Sequence, residues 1–400
     1  MFWNHLFCHS VSRALCLCLV WLGCLALAED SIALKSPKDG ALVQNMKPAQ
    51  RLFVELPEAE ARRLTANPAI AQDWSAVVRS QPMGVTLRWQ FKGERRKIKY
   101  RLTYAESRDL KEPVVLNPPH STYVLYNLKI GQTYHWKAEA VYEDGTAIST
   151  PVCKFTVDSH PPRVMNVPGM SNVRDLGGRV GLEGRMIPQG LIYRSAGLNF
   201  NSSDGGKTPG KPQFNDEGLR VLREVMKIRT DLDLRRPSET ANMKESPAGA
   251  DINFVHISST AYAGIFMPKG MENYATLFRV FCRRENYPID FHCIAGADRT
   301  GSLAFLLLAV LGVEREELMR DYVFTSFYSV RVHSSFDVLE RGMENFGTPE
   351  EPLVRKAERY LLKAGVSVSD ICTFREIVLG PGLPMSQPLL EAMNQKTNEK

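Results

Sequence analysis

Between residues 85 and 140 the chain repeatedly alternates apolar and polar positions. Val85-Thr86-Leu87-Arg88-Trp89-Gln90-Phe91, Tyr100-Arg101-Leu102-Thr103-Tyr104 and Tyr134-His135-Trp136-Lys137-Ala138-Glu139-Ala140 each keep a period of two. That period predicts half-buried strands, and the turn residues between the runs predict antiparallel pairing. Glu58 to Trp74 instead has helical character and reads as an insertion in this β-rich unit. After Asp158-Ser159-His160-Pro161-Pro162, which reads as a linker, strand and helix patterns take turns. Strand-like runs cover Ile228–Leu234, Asn253–Ile257 and Tyr287–Phe291. Helical spacing covers Phe214–Met226 (Asn215 or Asp216 as cap), Met271–Cys282, Ser302–Leu311 and Leu353–Ala364, the last opened by Pro352. That order predicts a three-layer α/β domain with a mainly parallel central sheet.

The expected organisation is a leader at 1–28, an all-β sandwich at 29–158, the α/β domain at 163–381 and a flexible tail at 382–400. Asn199 to Pro212 reads as a polar, mobile insertion. The leader holds one cation, Arg13, then the apolar run Ala14 to Ala28 ending Ala26-Leu27-Ala28. A short apolar run closed by small residues at alternate positions is the pattern of a secretory signal. It falls short of the about 20 residues of a comfortable span. A secreted or periplasmic location follows, with the membrane reached only through an uncleaved signal or a lipid anchor at Cys24. Four of the eight cysteines lie in the leader, leaving Cys153, Cys282, Cys293 and Cys372.

The formal charge of +6 is a mild basic excess. It suits an anionic ligand. Without a Lys/Arg run interleaved with aromatics it gives no footprint for DNA or RNA. The eight histidines are scattered, with no metal-ligand spacing, so neither metal nor cofactor is expected.

The chemistry is concentrated in His292-Cys293-Ile294-Ala295-Gly296-Ala297-Asp298-Arg299-Thr300-Gly301. A strand-like run precedes it and an apolar helical run follows. A loop that curls into a helix N-terminus aims backbone N–H groups at one point, and the helix dipole adds positive charge there. Ile294, Ala295, Gly296, Ala297 and Thr300 would form that anion cradle. Arg299 can hold two oxygens of a tetrahedral anion with its planar fork. Cys293 would lie beneath the anion, where the positive field favours a thiolate. Thr300 would either assist that thiolate or serve as the helix N-cap. His292 would orient the loop or be a satisfied buried histidine.

These residues resemble the cysteine-dependent tyrosine and dual-specificity phosphatases, and in particular a bacterial tyrosine/serine branch whose loop reads H-C-x-A-G-K-D-R-T-G. Ala297 stands here where that branch has lysine. Asn172-Val173-Arg174-Asp175-Leu176-Gly177-Gly178, Leu191-Ile192-Tyr193-Arg194-Ser195-Ala196, Asp233-Leu234-Arg235 with Glu239, Asp321-Tyr322 and Tyr360 to Val366 are similar to further motifs of the branch, in its order. The resemblance implies an α/β phosphatase domain and a two-step phosphoryl transfer through a phosphocysteine. It gives Asp298 as general acid, with an ordering role in the loop as the alternative. Arg174, Asp175 and Arg235 are candidate supporting residues. Asn127 to Tyr134 followed by Ala138-Glu139-Ala140 resembles a corner of fibronectin type III domains, and Trp89 resembles their early core tryptophan.

The implied partner is a phosphorylated protein, phosphotyrosine first, or a small phosphomonoester; inositol phosphates and phosphoinositides are the alternative. Absence of the loop lysine weakens the case for a highly phosphorylated ring. A non-catalytic binding or adhesion protein with a silent phosphate pocket is the alternative of another class, and intact Cys293 and Arg299 argue against it. Sulfurtransferase chemistry on a similar loop is disfavoured by the Arg-Thr-Gly close.

Overall fold

The computed structural model describes residues 29–66, 81–93, 98–199, 212–240, 243–328, 334–348 and 350–398. The leader, most of the polar insertion at 199–212 and the second half of the Glu58–Trp74 segment lie outside the described residues.

The alternating runs form strands. In chain order these are β1 (Ser31–Ser36), β2 (Ala41–Val43), β3 (Val85–Lys92), β4 (Ile98–Ala105), β5 (Val114–Leu116), β6 (Thr122–Leu125), β7 (Thr133–Tyr142), β8 (Ala147–Ser149) and β9 (Cys153–Val157). One sheet has the order β1-β3-β6; the other runs β2-β9-β7-β4-β5, with β8 on β7. Both sheets contribute to one core. Val85, Leu87, Trp89 and Leu125 of the first meet Leu102, Tyr134, Trp136 and Phe155 of the second. Period two places these residues on the inner faces. The Tyr134 hydroxyl accepts the Lys129 amide at 2.9 Å and so pins the turn before β7.

The stretch between β2 and β3 forms α1 (Pro48–Glu55), which the sequence pattern did not single out, and α2 (Glu58–Ala66), within the expected helical segment. Sequence pattern assigned it to the sandwich. Its buried residues Phe53 and Ala61 belong instead to the core of the α/β unit. Phe53 packs against Phe324, Phe327 and Phe336 at ring separations of 6.4, 5.5 and 6.4 Å. Amphipathicity shows that one helix face is covered, not which neighbour covers it.

The α/β unit is built around a six-stranded sheet. It uses β10 (Arg163–Val164), β11 (Arg174–Asp175), β12 (Ile192–Ser195), β13 (Thr230–Asp233), β14 (Asn253–His256) and β15 (Ile289–His292) in the order β10-β11-β12-β15-β13-β14. The last four of these pair in parallel and β10-β11-β12 antiparallel. The helices are α3 (Asp216–Arg220), α4 (Pro237–Thr240), α5 (Pro268–Phe281), α6 (Asp298–Val310), α7 (Arg315–Val323), α8 (Phe336–Gly342), α9 (Leu353–Lys363), α10 (Val368–Leu379) and α11 (Gln387–Asn398). Ile192, Leu232, Ile289 and Phe291 face the large helical core, while Tyr193 faces the smaller cluster with Leu222 and Met226.

Three expectations shift. The expected helix over Phe214–Met226 is capped by Asn215, whose carboxamide oxygen accepts from Gly218 N at 2.9 Å, but widens to a π-turn at Val221–Val225. The expected tail at 382–400 contains α11, held by fully buried Leu389. The Asp158 linker is anchored: its buried carboxylate accepts from His160 N at 3.0 Å and pairs with Arg51.

Candidate active site

The loop of residues 293–297 joins the C-terminal end of β15 to α6. This is the edge of a parallel sheet where ligands are usually held. Its shape follows from where its carbonyls go. The Cys293 carbonyl is 3.2 Å from His292 Nδ1, and the Ile294 carbonyl accepts from Gly197 N at 2.9 Å. Asn172 Nδ2 donates to Ala295 O at 3.0 Å and Gly296 O at 3.1 Å, and Arg194 Nη2 donates to Gly296 O at 2.7 Å. In a trans peptide the N–H points opposite to the C=O. Four carbonyls held outward therefore turn the amides of 294 to 297 toward the concave side. Gly296 has φ +66°, and a Cβ there would sit 2.4 Å from Ser195 O, so only glycine fits.

Cys293 is buried at 3% exposure at the start of this curve. Arg299, in the first turn of α6, is ion-paired with Glu239 (Nη1 to Oε2, 2.6 Å). Although partial burial opposes it, the Arg299 hydrogen bond holds the Glu239 carboxyl below its usual range. Burial likewise opposes the Arg299 charge; Glu239 and Cys293 more than offset it and raise the guanidinium further. Asp298 is exposed at the mouth and accepts a hydrogen bond from the Tyr262 hydroxyl. Ala297 is buried and apolar, and is the residue before α6. Thr300 does not cap the helix, because α6 begins two residues earlier. Its hydroxyl is fully buried and has no hydrogen-bond partner among the described residues.

Beneath the loop lies a buried charge network produced by strand alternation. Asp231 and Asp233 of β13 flank Leu232, and Asp290 and His292 of β15 flank Phe291, so these four share one sheet face. His292 Nε2 is 2.8 Å from Asp231 Oδ1, and Nδ1 is 3.9 Å from Asp233 Oδ1. Burial opposes the imidazolium, but Asp233 and Asp231 together push its pKa up to about 9. The two carboxylates thus favour the protonated form of His292, next to Cys293 in the chain.

The supporting candidates divide. Arg235 chelates Asp233 through Nε (2.9 and 3.0 Å) and Nη2 (2.6 Å). Arg174 reaches the loop only through Asn172; its Nε donates to Asp321 Oδ1 at 3.1 Å. Asp175 does not approach the loop. It accepts from Gly177 N (2.8 Å), Gly190 N (2.6 Å) and Arg163 Nη1 (3.0 Å), and orders the turn of its own motif. Asn172, Arg194, Glu239, Tyr262 and Asp321 take part without having been singled out as site residues. All but Tyr262 lie in motifs quoted above. Neither residue type nor spacing marks Tyr262 in the sequence. The described cysteines are all free thiols, and Cys282 points to Phe278 O and Asp370 O, away from the loop. Among the described residues there is no His/Cys/Asp/Glu group suited to a metal, and no helix is long and apolar enough to cross a membrane.

Residues 165–370, just over half the chain, match the family model described as tyrosine phosphatase family. A Cupriavidus necator protein whose name reads tyrosine-protein phosphatase is 30% identical over 173 residues, covering 38% of this chain and 60% of that protein. The chain thus spans less than two thirds of this relative's length. Two solved structures of the Siw14 catalytic core, one titled as the S. cerevisiae PP-IP phosphatase with citrate, are similar at 19% and 16% identity. Each covers 44% of this chain and 94% of the other, with TM-scores of 0.27 and 0.26.

Proposed function

We propose, from the premise that this chain belongs to the tyrosine phosphatase family, that it hydrolyses phosphate monoesters through a phosphocysteine formed on Cys293. The observation that carries this reading is the outward pinning of the four loop carbonyls around a buried cysteine. The inward amides of 294–297, the α6 dipole and Arg299 would bind three phosphate oxygens and stabilise the charge that spreads over them in the transition state. The Cys293 thiolate attacks phosphorus, the P–S bond forms and the P–O bond to the alcohol breaks. Asp298 gives its proton to the leaving oxygen. Water then attacks phosphorus, passes a proton to Asp298 and releases inorganic phosphate and the thiolate. Glu239 holds Arg299 at the rim in the absence of substrate.

The substrate is phosphotyrosine on a protein or a small aryl phosphate. Arg235 is already paired with Asp233, Arg299 with Glu239, and Arg174, Arg179 and Arg194 with Asp321. Ala297 adds no cation. These pairings favour one phosphate per substrate over a ring bearing several. The N-terminal unit is read as fibronectin type III-like from the Tyr134 corner and the two-sheet core. The leader is read as a secretion signal, so mature protein isolated from the native host should lack residues 1–28 by intact mass.

The test is phosphate release from aryl phosphate, phosphopeptide and inositol phosphate panels by wild type and Cys293→Ser. Wild type should turn over aryl phosphate and phosphotyrosine peptide best. The serine variant should keep its melting temperature and its vanadate binding but release no phosphate. Turnover by the serine variant would defeat the proposal; best turnover on inositol phosphates would overturn the substrate class alone.

A further inference from the structure

Asp298 poses a problem for any role in proton transfer. It is exposed at the first position of α6, where a carboxylate is free to rotate away from the leaving group. The structure supplies a restraint. The Tyr262 hydroxyl lies against Asp298 Oδ1, and 2.5 Å from the Tyr322 hydroxyl. A phenol has one proton. Since Asp298 can only accept when ionised, Tyr262 donates to Asp298 and Tyr322 donates to Tyr262. The result is a directed chain of two phenols ending on one oxygen of the carboxylate.

This chain is built at some conformational expense. Tyr262 has φ +54°, a left-handed conformation unusual for an aromatic residue. Its amide donates to Ser302 Oγ at 3.1 Å, which ties it to the same helix that carries Asp298. Two glycines clear the space. A Cβ on Gly342 would sit 2.7 Å from the Tyr262 side chain, and one on Gly301 would sit 2.7 Å from the Tyr322 ring. The two rings meet edge to face at 6.3 Å and 81°. Burial pushes both phenols above their usual range; at Tyr262 the Tyr322 hydroxyl and the Asp298 carboxylate add to it, while at Tyr322 the Tyr262 hydroxyl opposes and the carboxylate adds, so both act as donors rather than as acids.

We infer that Tyr262, backed by Tyr322, is the positioning residue of Asp298: it occupies Oδ1 and leaves Oδ2 to carry the proton toward the leaving group. The inference rests on the proposed role of Asp298 as general acid. When Asp298 gives up its proton, the Tyr262 hydrogen bond becomes a bond to a full anion and strengthens. In the second step the same oriented carboxylate receives the proton of the attacking water. Tyr262 touches neither phosphorus nor the leaving atom.

The experiment compares Tyr262→Phe, Asp298→Asn and the double variant in the full chain on phenyl phosphate and p-nitrophenyl phosphate. Phenylalanine keeps the ring and removes only the hydroxyl; unchanged melting temperature checks that. Tyr262→Phe should lower kcat on phenyl phosphate by about tenfold, the loss expected for one hydrogen bond to a charged group. The loss on p-nitrophenyl phosphate, whose leaving group needs no acid, should be several-fold smaller. The double variant should be no slower than Asp298→Asn alone. If Asp298→Asn discriminates between the substrates and Tyr262→Phe does not, the positioning role is wrong and the acid assignment stands. If Asp298→Asn itself fails to discriminate, both fall. A double variant slower by the product of the single effects would show that Tyr262 acts apart from Asp298, which also overturns the inference.

Discussion

Asp290 faces Asp231 across the parallel pairing of β13 and β15, and both carboxylates are fully buried. One oxygen of each, Asp290 Oδ1 and Asp231 Oδ2, has no partner among the described residues. Burial raises the Asp290 pKa to about 7 and Asp231 adds to it, against the opposing pull of His292 and of Ser195 Oγ, which donates to Oδ2 at 2.8 Å. The folded state therefore holds a proton that the unfolded state releases near pH 4. From this group, stability is greatest below that value and declines as pH rises to about 7. His292 acts in the same direction over a higher window, because its pKa rises from 6.5 to about 9. Asp290→Asn should remove the first decline, on the order of a few kcal/mol, and leave the second. Denaturant unfolding at pH 5, 7 and 9 checks this; a variant whose pH dependence parallels wild type would contradict it. At this scale Cys293, Arg299 and the turn from strand to helix that carries them were legible in the sequence, because their types and spacing mark them out directly. The acids below them were not. Thr230-Asp231-Leu232-Asp233 reads as a strand, and alternation marks Asp231 and Asp233 as outward or buried only once the other layer is known.

A single carboxylate on α7 ties that helix to the loop. Asp321 accepts from Arg174 (3.1 Å), Arg179 (2.9 Å) and Arg194 (2.5 Å), and is 2% exposed. Despite burial, the three guanidinium groups hold its carboxyl far below the usual range. Arg194 continues to Gly296 O, and Arg174 to Asn172, which holds Ala295 O and Gly296 O. Removing the centre leaves three buried cations to repel one another. Asp321→Ala should cost about 3–5 kcal/mol, the range for breaking a buried pair. It should also weaken vanadate binding at the loop, read by titration in the folded fraction. Unaltered vanadate affinity in a folded variant would show that the loop keeps its shape without α7. The Asp321-Tyr322 pair was recognisable as a motif. Its work was not, because the arginines it gathers lie 127 and more residues earlier in the chain, and spacing carries no information at that separation.

Across the whole molecule, the two sheets of the N-terminal unit and the α/β unit are joined by more than a linker. Arg163 donates to Leu128 O (3.1 Å), and Gln189 exchanges two 2.9 Å bonds with the Ile130 backbone. The larger connection is α1 and α2. Arg320, next to Asp321 on α7, donates to Phe53 O at 2.7 Å and also holds Leu56 O, so it caps the end of α1. Arg62 of α2 lies 4.7 Å over the Phe336 ring and pairs with Asp337 and Glu340 of α8. Phe53 fills the aromatic socket between these contacts with no exposed surface. If this strap were an ornament of the sandwich, truncating its anchor would disturb the sandwich alone. The geometry requires the opposite. Phe53→Ala would open a cavity bounded by Phe324, Phe327 and Phe336, all from the α/β unit, at a cost of about 3–5 kcal/mol. The calorimetric transition that vanadate stabilises, which identifies the α/β unit, should move to lower temperature. A shift confined to a transition that vanadate leaves untouched would mean that the strap belongs to the N-terminal unit. Because α7 carries both Arg320 and the Asp321–Tyr322 pair, the same variant should also show the leaving-group discrimination expected of Tyr262→Phe, in weaker form. Such discrimination would give the N-terminal residues a part in the chemistry, which their own sequence does not disclose.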